Sequence, residues 1–346
     1  MRKVIGIAAL LALVMIVTGS IDLKFFSSFN IKNILRWTGL FGILSLGEAM
    51  VVITGGIDLS VGSITGLVGS LLPLFLGGYK MSVAAALLIC LGISLAIGLI
   101  HGFLVTRLRM QPFIVTLCGL FVYRGLARYI CKDVTQSFGQ GYTGLKFLAQ
   151  GMIPSSLWAT SKNIPGFIEN WSIPMPFVIM AVVAVVLWLY LNRSIYGRYL
   201  FALGRNEKAA RFSGINVDRM VMSSYVISAL LAGLAAVLFS LYINGAQPSS
   251  QGIFFELYAI AGAVLGGCSL RGGEGNILGI ILGTAVVRVL YNVINILGIA
   301  TQLEYAVVGI VILGGVAVDD IVRIYSEKRK VRAIGVHKQS GTPIST

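Results

Sequence analysis

The stretch Thr54–Ser63, "TGGIDLSVGS", decides how this chain is read. It follows "LFGILSLGEAMVVI" and precedes "ITGLVGSLLPLFL", so glycines and one carboxylate interrupt an almost continuous apolar run. An isolated buried carboxylate is costly unless it is paired, hydrogen-bonded or neutralised. Gly55 and Gly56 before Asp58, with Gly62 after it, let a helix stop and another begin. At the start of the second helix the carboxylate can cap free N–H groups and meet the positive end of the dipole, and Ser60 and Ser63 add local donors. Local sequence favours this capping reading of Asp58.

Composition extends the apolar theme to the whole chain. Of 346 residues 57% are hydrophobic and 12% charged, against about 25% charge in soluble domains. A helix crosses the hydrocarbon core with about 20 apolar residues. Ten segments qualify, at 4–19, 38–55, 59–78, 82–105, 112–130, 173–191, 220–243, 253–268, 276–296 and 302–318. They are too long for barrel strands and lack strict alternation, so the expected fold is an all-α polytopic bundle.

With the first residue in the cytoplasm, Lys and Arg concentrate on the cytoplasmic side, notably Arg193–Arg219 and Arg323–Lys338. That asymmetry places both termini inside. The net charge of +14 is then a positive-inside signature and not a sign of nucleic acid binding. Residues 1–322 read as one membrane domain and 323–346 as a basic cytoplasmic tail beside anionic lipid. The opening "MRKVIGIAALLALVMIVTGS" imitates a signal peptide but lacks an A-x-A site, which favours an uncleaved first span. Cys90, Cys118, Cys131 and Cys268 show no paired spacing, and His101 and His337 sit near no Cys or carboxylate cluster in sequence, so no metal site is expected.

Two loops are long. Residues 131–172, with Tyr142, Trp158 and Trp171, form the larger outer surface. Residues 192–219 lie inside and contain "NEKAARFSG", which predicts a helix of about two turns capped by Asn206 and stopped by Gly214. There is one internal echo. Gly55, Gly56, Gly62 and Gly66 have the spacing of Gly272, Gly273, Gly279 and Gly283; chance and a transporter-type repeat both remain open. No phosphate loop, HExxH, GxSxG or Cys/His cluster occurs, so no catalytic residue is expected and the chain carries no ATP-hydrolysing motif of its own.

"GGIDLSVGS" (55–63), "ALGRNEKAARFSGI" (202–215) and "AQPSSQGIFFELYAIAGAVLGGCSLRGGEGNILG" (246–279) resemble the permease subunits of bacterial ATP-binding-cassette sugar importers of the ribose/galactose/xylose type, to which the autoinducer permeases are a related branch. The resemblance runs from the second span to the tenth. It implies an inner-membrane permease that pairs with a second permease copy, two cytoplasmic ATPase subunits and a periplasmic sugar-binding protein. The chain itself would need no cofactor, ATP and Mg²⁺ being held by the ATPases. ATPase coupling would fall to Gly204, Asn206, Glu207, Ala209, Ala210, Ser213 and Gly214, with Ala209 and Ala210 giving close approach and Arg205, Lys208 and Arg211 facing acidic partner residues or lipid phosphates.

Gly55, Gly56, Asp58, Ser60 and Gly62 would form a helix break with a gating role. Beside the cap, direct sugar contact and gating stay open for Asp58. Gln247 and Glu256, expected on the outer side, would meet the binding protein or line the path. Glu48 is the most isolated acid, either paired with Arg288 or neutral. Arg205 stands where the family usually has Gly, and Tyr258 where it usually has Asp. The alternative is an ion- or proton-coupled secondary transporter using Glu48, Asp58, Glu256 or Glu304.

Overall fold

The computed structural model describes residues 2–153 and 172–298, together with position 300 and isolated positions from 303 to 314. The tail 323–346, most of the segment 302–318, and Trp158 and Trp171 lie outside the described residues. The fold is all-α, with 76% helix. Its helices are α1 (Arg2–Ile21), α2 (Ser28–Ile53), α3 (Val61–Pro73), α4 (Val83–Thr106), α5 (Pro112–Ile130), α6 (Thr143–Gln150), α7 (Met175–Arg193), α8 (Ile195–Arg205), α9 (Glu207–Phe212), α10 (Val217–Tyr242), α11 (Phe255–Leu265) and α12 (Ile277–Ile296).

Local sequence sets many of the starts. Ser27 Oγ accepts from Asn30 N at α2, Ser82 Oγ from Ala85 N at α4, and Asn276 Oδ1 from Gly279 N at α12. Pro112 opens α5, where its missing N–H costs nothing. Pro73 ends the regular part of α3, which continues as a single π turn, Leu74–Gly78.

Eight helical segments are long and apolar enough to cross a membrane among the described residues: α1, α2, α3 with its π turn, α4, α5, α7, α10 and α12. Where the hydropathy predicts an unbroken eighth span at 253–268, the structure has α11, only 11 residues long. The bundle has an upper end, where α2 starts and α3 and α10 finish, and a lower end, where α2 finishes and α8 and α9 lie. Helices α2, α3 and α10 form the core: every residue of α2 from Thr38 to Ile53, and of α3 from Val61 to Pro73, is buried. Helices α1, α4, α5 and α7 turn apolar side chains outward, the arrangement a lipid solvent requires.

Two two-stranded pairs close the upper end. Strand β1 (Gln136–Ser137) pairs antiparallel with β4 (Gly245–Ala246), and β2 (Met152–Ile153) with β3 (Ile173–Pro174). Gln150 Nε2 donates to the carbonyls of Leu241 and Tyr242, and Tyr142 Oη to Leu76 O at 2.7 Å. The described part of the 131–172 loop is therefore folded onto the bundle and is not a free surface loop.

Candidate functional site

Two helices begin inside the bundle. After α2 ends at the lower end, residues 54–60 turn back upward, and Asp58 N donates to Glu48 Oε1 at 3.1 Å. Helix α3 therefore starts at the depth of Glu48. From β4 at the upper end, residues 247–254 descend beside α3 with little regular structure. A Cβ on Gly66 would meet Gln251 O, and one on Gly62 would meet Gly252 O and Glu256 Oε2. The turn needs positive φ at Gly252 (76°) and Phe254 (62°) before α11 begins. The N-termini of α3 and α11 thus converge in the interior, where their positive dipole ends favour anions.

This convergence answers why Asp58 is tolerated. Its side chain is fully buried. Oδ1 accepts from Ser60 N at 2.9 Å and Ser60 Oγ at 2.6 Å, and Oδ2 from Ser228 Oγ on α10 at 3.2 Å. Capping takes a different form from the one expected. Ser60 is the N-cap of α3 and its side chain makes no cap bond; Asp58 closes an Asx turn two residues earlier and also bonds across to another helix.

Glu256 is a clear correction. It is 6% exposed, in the first turn of α11 beside Gly62, so it does not face a docked protein on the outer surface. Arg124 on α5 supplies the nearby positive charge and donates to Gly252 O at 3.3 Å. Gln247 does lie exposed at the upper end, where its Oε1 accepts from Ser250 Oγ. Arg288 does not pair with Glu48: its guanidinium lies 3.7 Å over the Phe41 ring, near Tyr258 and Tyr291. His101, which the sequence leaves isolated, is buried with Nε2 2.9 Å from Tyr123 Oη and its ring edge-on to Tyr225, facing the Asp58 charge.

Glu48 Oε2, Glu256 Oε2 and Tyr225 Oη take no hydrogen bond among the described residues. Buried polar atoms without partners are rare and each costs about 1–3 kcal/mol. Asp58 is satisfied by its surroundings; its neighbours are not.

The glycine echo reappears as packing. Gly55, Gly272 and Gly273 all have positive φ, and Gly273 N donates to Ile53 O at 2.8 Å. Gly62 and Gly66 let α3 approach the 251–256 segment, while Gly279 and Gly283 let α12 approach Gly262 and Gly266. Gly56 does the same for Tyr225.

The lower end carries the segment 194–216, with α8 and α9. Asn206 Oδ1 accepts from Ala209 N at 3.0 Å, and Gly214 has φ 81°, so both α9 boundaries fall where the sequence puts them. Helix α8, which precedes α9, is not evident from the sequence motif. Gly204 sits against Ile53 O and Gly273 N, joining this loop to the end of α2. Ala209 is exposed, as is Ser213, whose Oγ donates to Ala209 O, but Ala210 is buried against its own chain. Arg211 is engaged internally, donating to Asp218 at 2.9 Å and Glu207 at 3.2 Å. Those bonds, Asp218 first, raise its pKa further above the ordinary arginine value. Phe212 is 91% exposed, a feature the helix pattern did not single out.

Sequence reasoning also missed a cavity of about 390 Å³ in the upper half, between the first half of α2, the 253–258 segment and the last half of α12. Its walls carry Trp37, Phe41, Phe255, Tyr258 and Tyr291, with Arg288 among them. Asn33, Asn292 and Asn295 add carboxamides. Tyr291 Oη donates to Tyr258 Oη, and Asn292 exchanges hydrogen bonds with Asn30.

Residues 30–316 match the family described as "branched-chain amino acid transport system / permease component". The chain belongs to that family. Among similar proteins, it is 36% identical over 220 residues to the ribose import permease protein RbsC of Bacillus subtilis (strain 168), covering 63% of this chain and 62% of the relative. It is 32% identical over 221 residues to the D-allose transport system permease protein AlsC of Escherichia coli (strain K12), covering 64% and 62%. It is 31% identical over 235 residues to the fructose import permease protein FrcC of Rhizobium meliloti, covering 64% and 58%. The matches thus span somewhat less than two thirds of these relatives' lengths. No solved structure matches. The family and the eight long apolar helices make this a multi-pass membrane protein.

Proposed function

We propose that this chain is the permease subunit of an ATP-binding-cassette importer in the bacterial inner membrane, moving a monosaccharide or related polyol. It acts as a path and not as an enzyme, with residues 1–322 as the membrane domain and 323–346 as a basic tail. ATP and Mg²⁺ are held by separate ATPase subunits, a periplasmic binding protein delivers the sugar, and a second permease copy completes the pathway. The sugar class rests on the relatives, whose names specify ribose, allose and fructose.

The observation that carries the reading is the lower-end joint. A capped helix, α9, presents Ala209 and Phe212 outward, and Gly204 ties its loop to the α2 end and the 269–276 turn. A push on α9 is passed by rigid contact to the break at Gly55–Ser60, and from there to the two helix starts at Glu48, Asp58 and Glu256. The discontinuous helices supply bistable elements for alternating access. The partnerless polar atoms beside Asp58 support a gating role for the break.

Because Phe212 is exposed and Glu207 makes only a surface ion pair, worth about 0–1 kcal/mol, Phe212→Ala and Glu207→Arg are expected to fold at wild-type yield. Both should lower ATPase co-purification and sugar uptake at least fivefold. Full uptake and retained assembly in both variants would remove the coupling assignment.

Ten spans with both termini cytoplasmic complete the proposal. In a protein freed of native cysteines, Ser250→Cys is expected to react with an impermeant maleimide from outside, and Lys208→Cys only after permeabilisation. The reverse labelling pattern would invert the topology.

A further inference from the structure

We propose that α8 is an interfacial helix that binds anionic phospholipid, with Tyr196 and Tyr199 at the acyl boundary and Arg193 and Arg198 on headgroup phosphates. The inference needs only the membrane assignment and goes beyond the importer reading. Helix α7 is one of the long apolar spans, and Arg193 is its last residue. The chain therefore reaches the lower membrane surface at Arg193, and α8 turns off there at once. Ser194 is extended, and its Oγ accepts from Gly197 N at 3.1 Å to cap the new helix. A Cβ on Gly197 would meet the Leu191 backbone, so α8 packs directly on the end of the span. Tyr196 stacks on Tyr190 of α7, with ring centroids 6.4 Å apart and planes 8° from parallel. These contacts fix α8 at the depth where the span ends.

The faces of α8 are sorted by chemistry. Gly197, Leu200 and Leu203 are buried against the bundle. Ile195, Tyr196 and Tyr199 form an exposed apolar edge, Tyr196 at 55%. Arg198 and Arg205, seven positions apart, lie exposed on the other side of that face. An apolar edge beside a basic one marks a helix lying in a membrane interface, where tyrosine is enriched. Charge selects the lipid. The Arg193 guanidinium lies 5.7 Å from the Trp188 ring centroid, and among the described residues neither Arg193 nor Arg198 forms an ion pair. The acids between Arg193 and Arg219 are Glu207 and Asp218, and Arg211 engages both. The cations beside the tyrosines thus complement a headgroup of net negative charge. Because α8 runs into Gly204, lipid held there sets the height of the lower-end joint against the membrane.

Trp188, 40% exposed on α7 beside Arg193, provides the probe. The full-length protein is placed in nanodiscs of phosphatidylcholine and phosphatidylglycerol, with bromine on the chains of one lipid or the other. The Trp188 signal is the difference between wild type and Trp188→Phe. Brominated phosphatidylglycerol is expected to quench it as a lipid favoured at least threefold over phosphatidylcholine, and less so in high salt. Arg193→Gln with Arg198→Gln is expected to bring the preference close to one at unchanged melting temperature, while Lys at both positions keeps most of it. Equal quenching by the two lipids in wild type would overturn the proposal, as would a preference that the glutamine pair leaves unchanged. Loss of the preference when a cytoplasmic ATPase partner binds would assign this face to that protein and also overturn it. None of the nanodisc measurements on the chain alone involves ATP or sugar, so their failure would leave the importer reading standing.

Discussion

Asp58→Leu is expected to lose most of the folded protein. Leucine keeps the branching of aspartate but puts bulkier methyls in place of its oxygens, so the variant removes every hydrogen-bond acceptor and overfills a fully buried site. Ser60 N, Ser60 Oγ and Ser228 Oγ all donate to this carboxylate in a fully buried setting. Each stranded donor costs about 1–3 kcal/mol, a large part of the stability of a typical domain. Asp58→Asn keeps one oxygen for the Ser60 bonds and is expected to fold with modest loss. Folded yield after detergent extraction, measured by size exclusion, separates the two. Normal yield for Asp58→Leu, with only sugar preference altered, would show that the carboxylate contacts the solute.

Gly204→Val should be nearly as damaging, and in a different way. A side chain there runs into Ile53 O and Gly273 N, the backbone of two other segments, and neither can yield as a flexible side chain would. Small-to-large insertions of this kind cost about 1–3 kcal/mol or more. Because the contact is local to the lower end, the bundle is expected to assemble while uptake falls at least tenfold. Gly204→Ala already sets its Cβ against the same two backbone atoms and is expected to lower uptake in the same direction by a smaller factor. Wild-type uptake by Gly204→Val would show that force does not pass through this joint.

The parts legible in the sequence are those built from neighbours along the chain. Asn206 and Gly214 cap and stop α9 through bonds and angles set within a few residues. The break at Gly55 and Gly56 is equally local. Several span boundaries among the described residues follow from hydropathy because lipid rewards uniform apolar length, but α2 begins at Ser28, well before the expected start at 38, because Ser27 caps it there.

What stayed hidden depends on distant segments. Residues 253–268 read as one apolar span, and nothing local says that α11 begins midway. That start is held by the bare faces of Gly62 and Gly66 on α3 and by Arg124 on α5, far away in sequence. Glu256 therefore moves from an expected outer turn to the interior. Ser228 and Tyr225, 170 and 167 positions from Asp58, gave only the weak signal of polar residues in an apolar helix. The cavity was invisible because its aromatic residues come from three separated segments, and aromatics are common throughout the chain.

The most direct test of the central claim is sugar uptake by cells expressing this chain with its ATPase and binding-protein partners, measured under separate depletion of ATP and of the proton gradient. The account predicts uptake that stops when ATP is depleted, survives a protonophore at constant ATP, and requires all three components. Uptake by this chain alone that follows the proton gradient and is indifferent to ATP would contradict it.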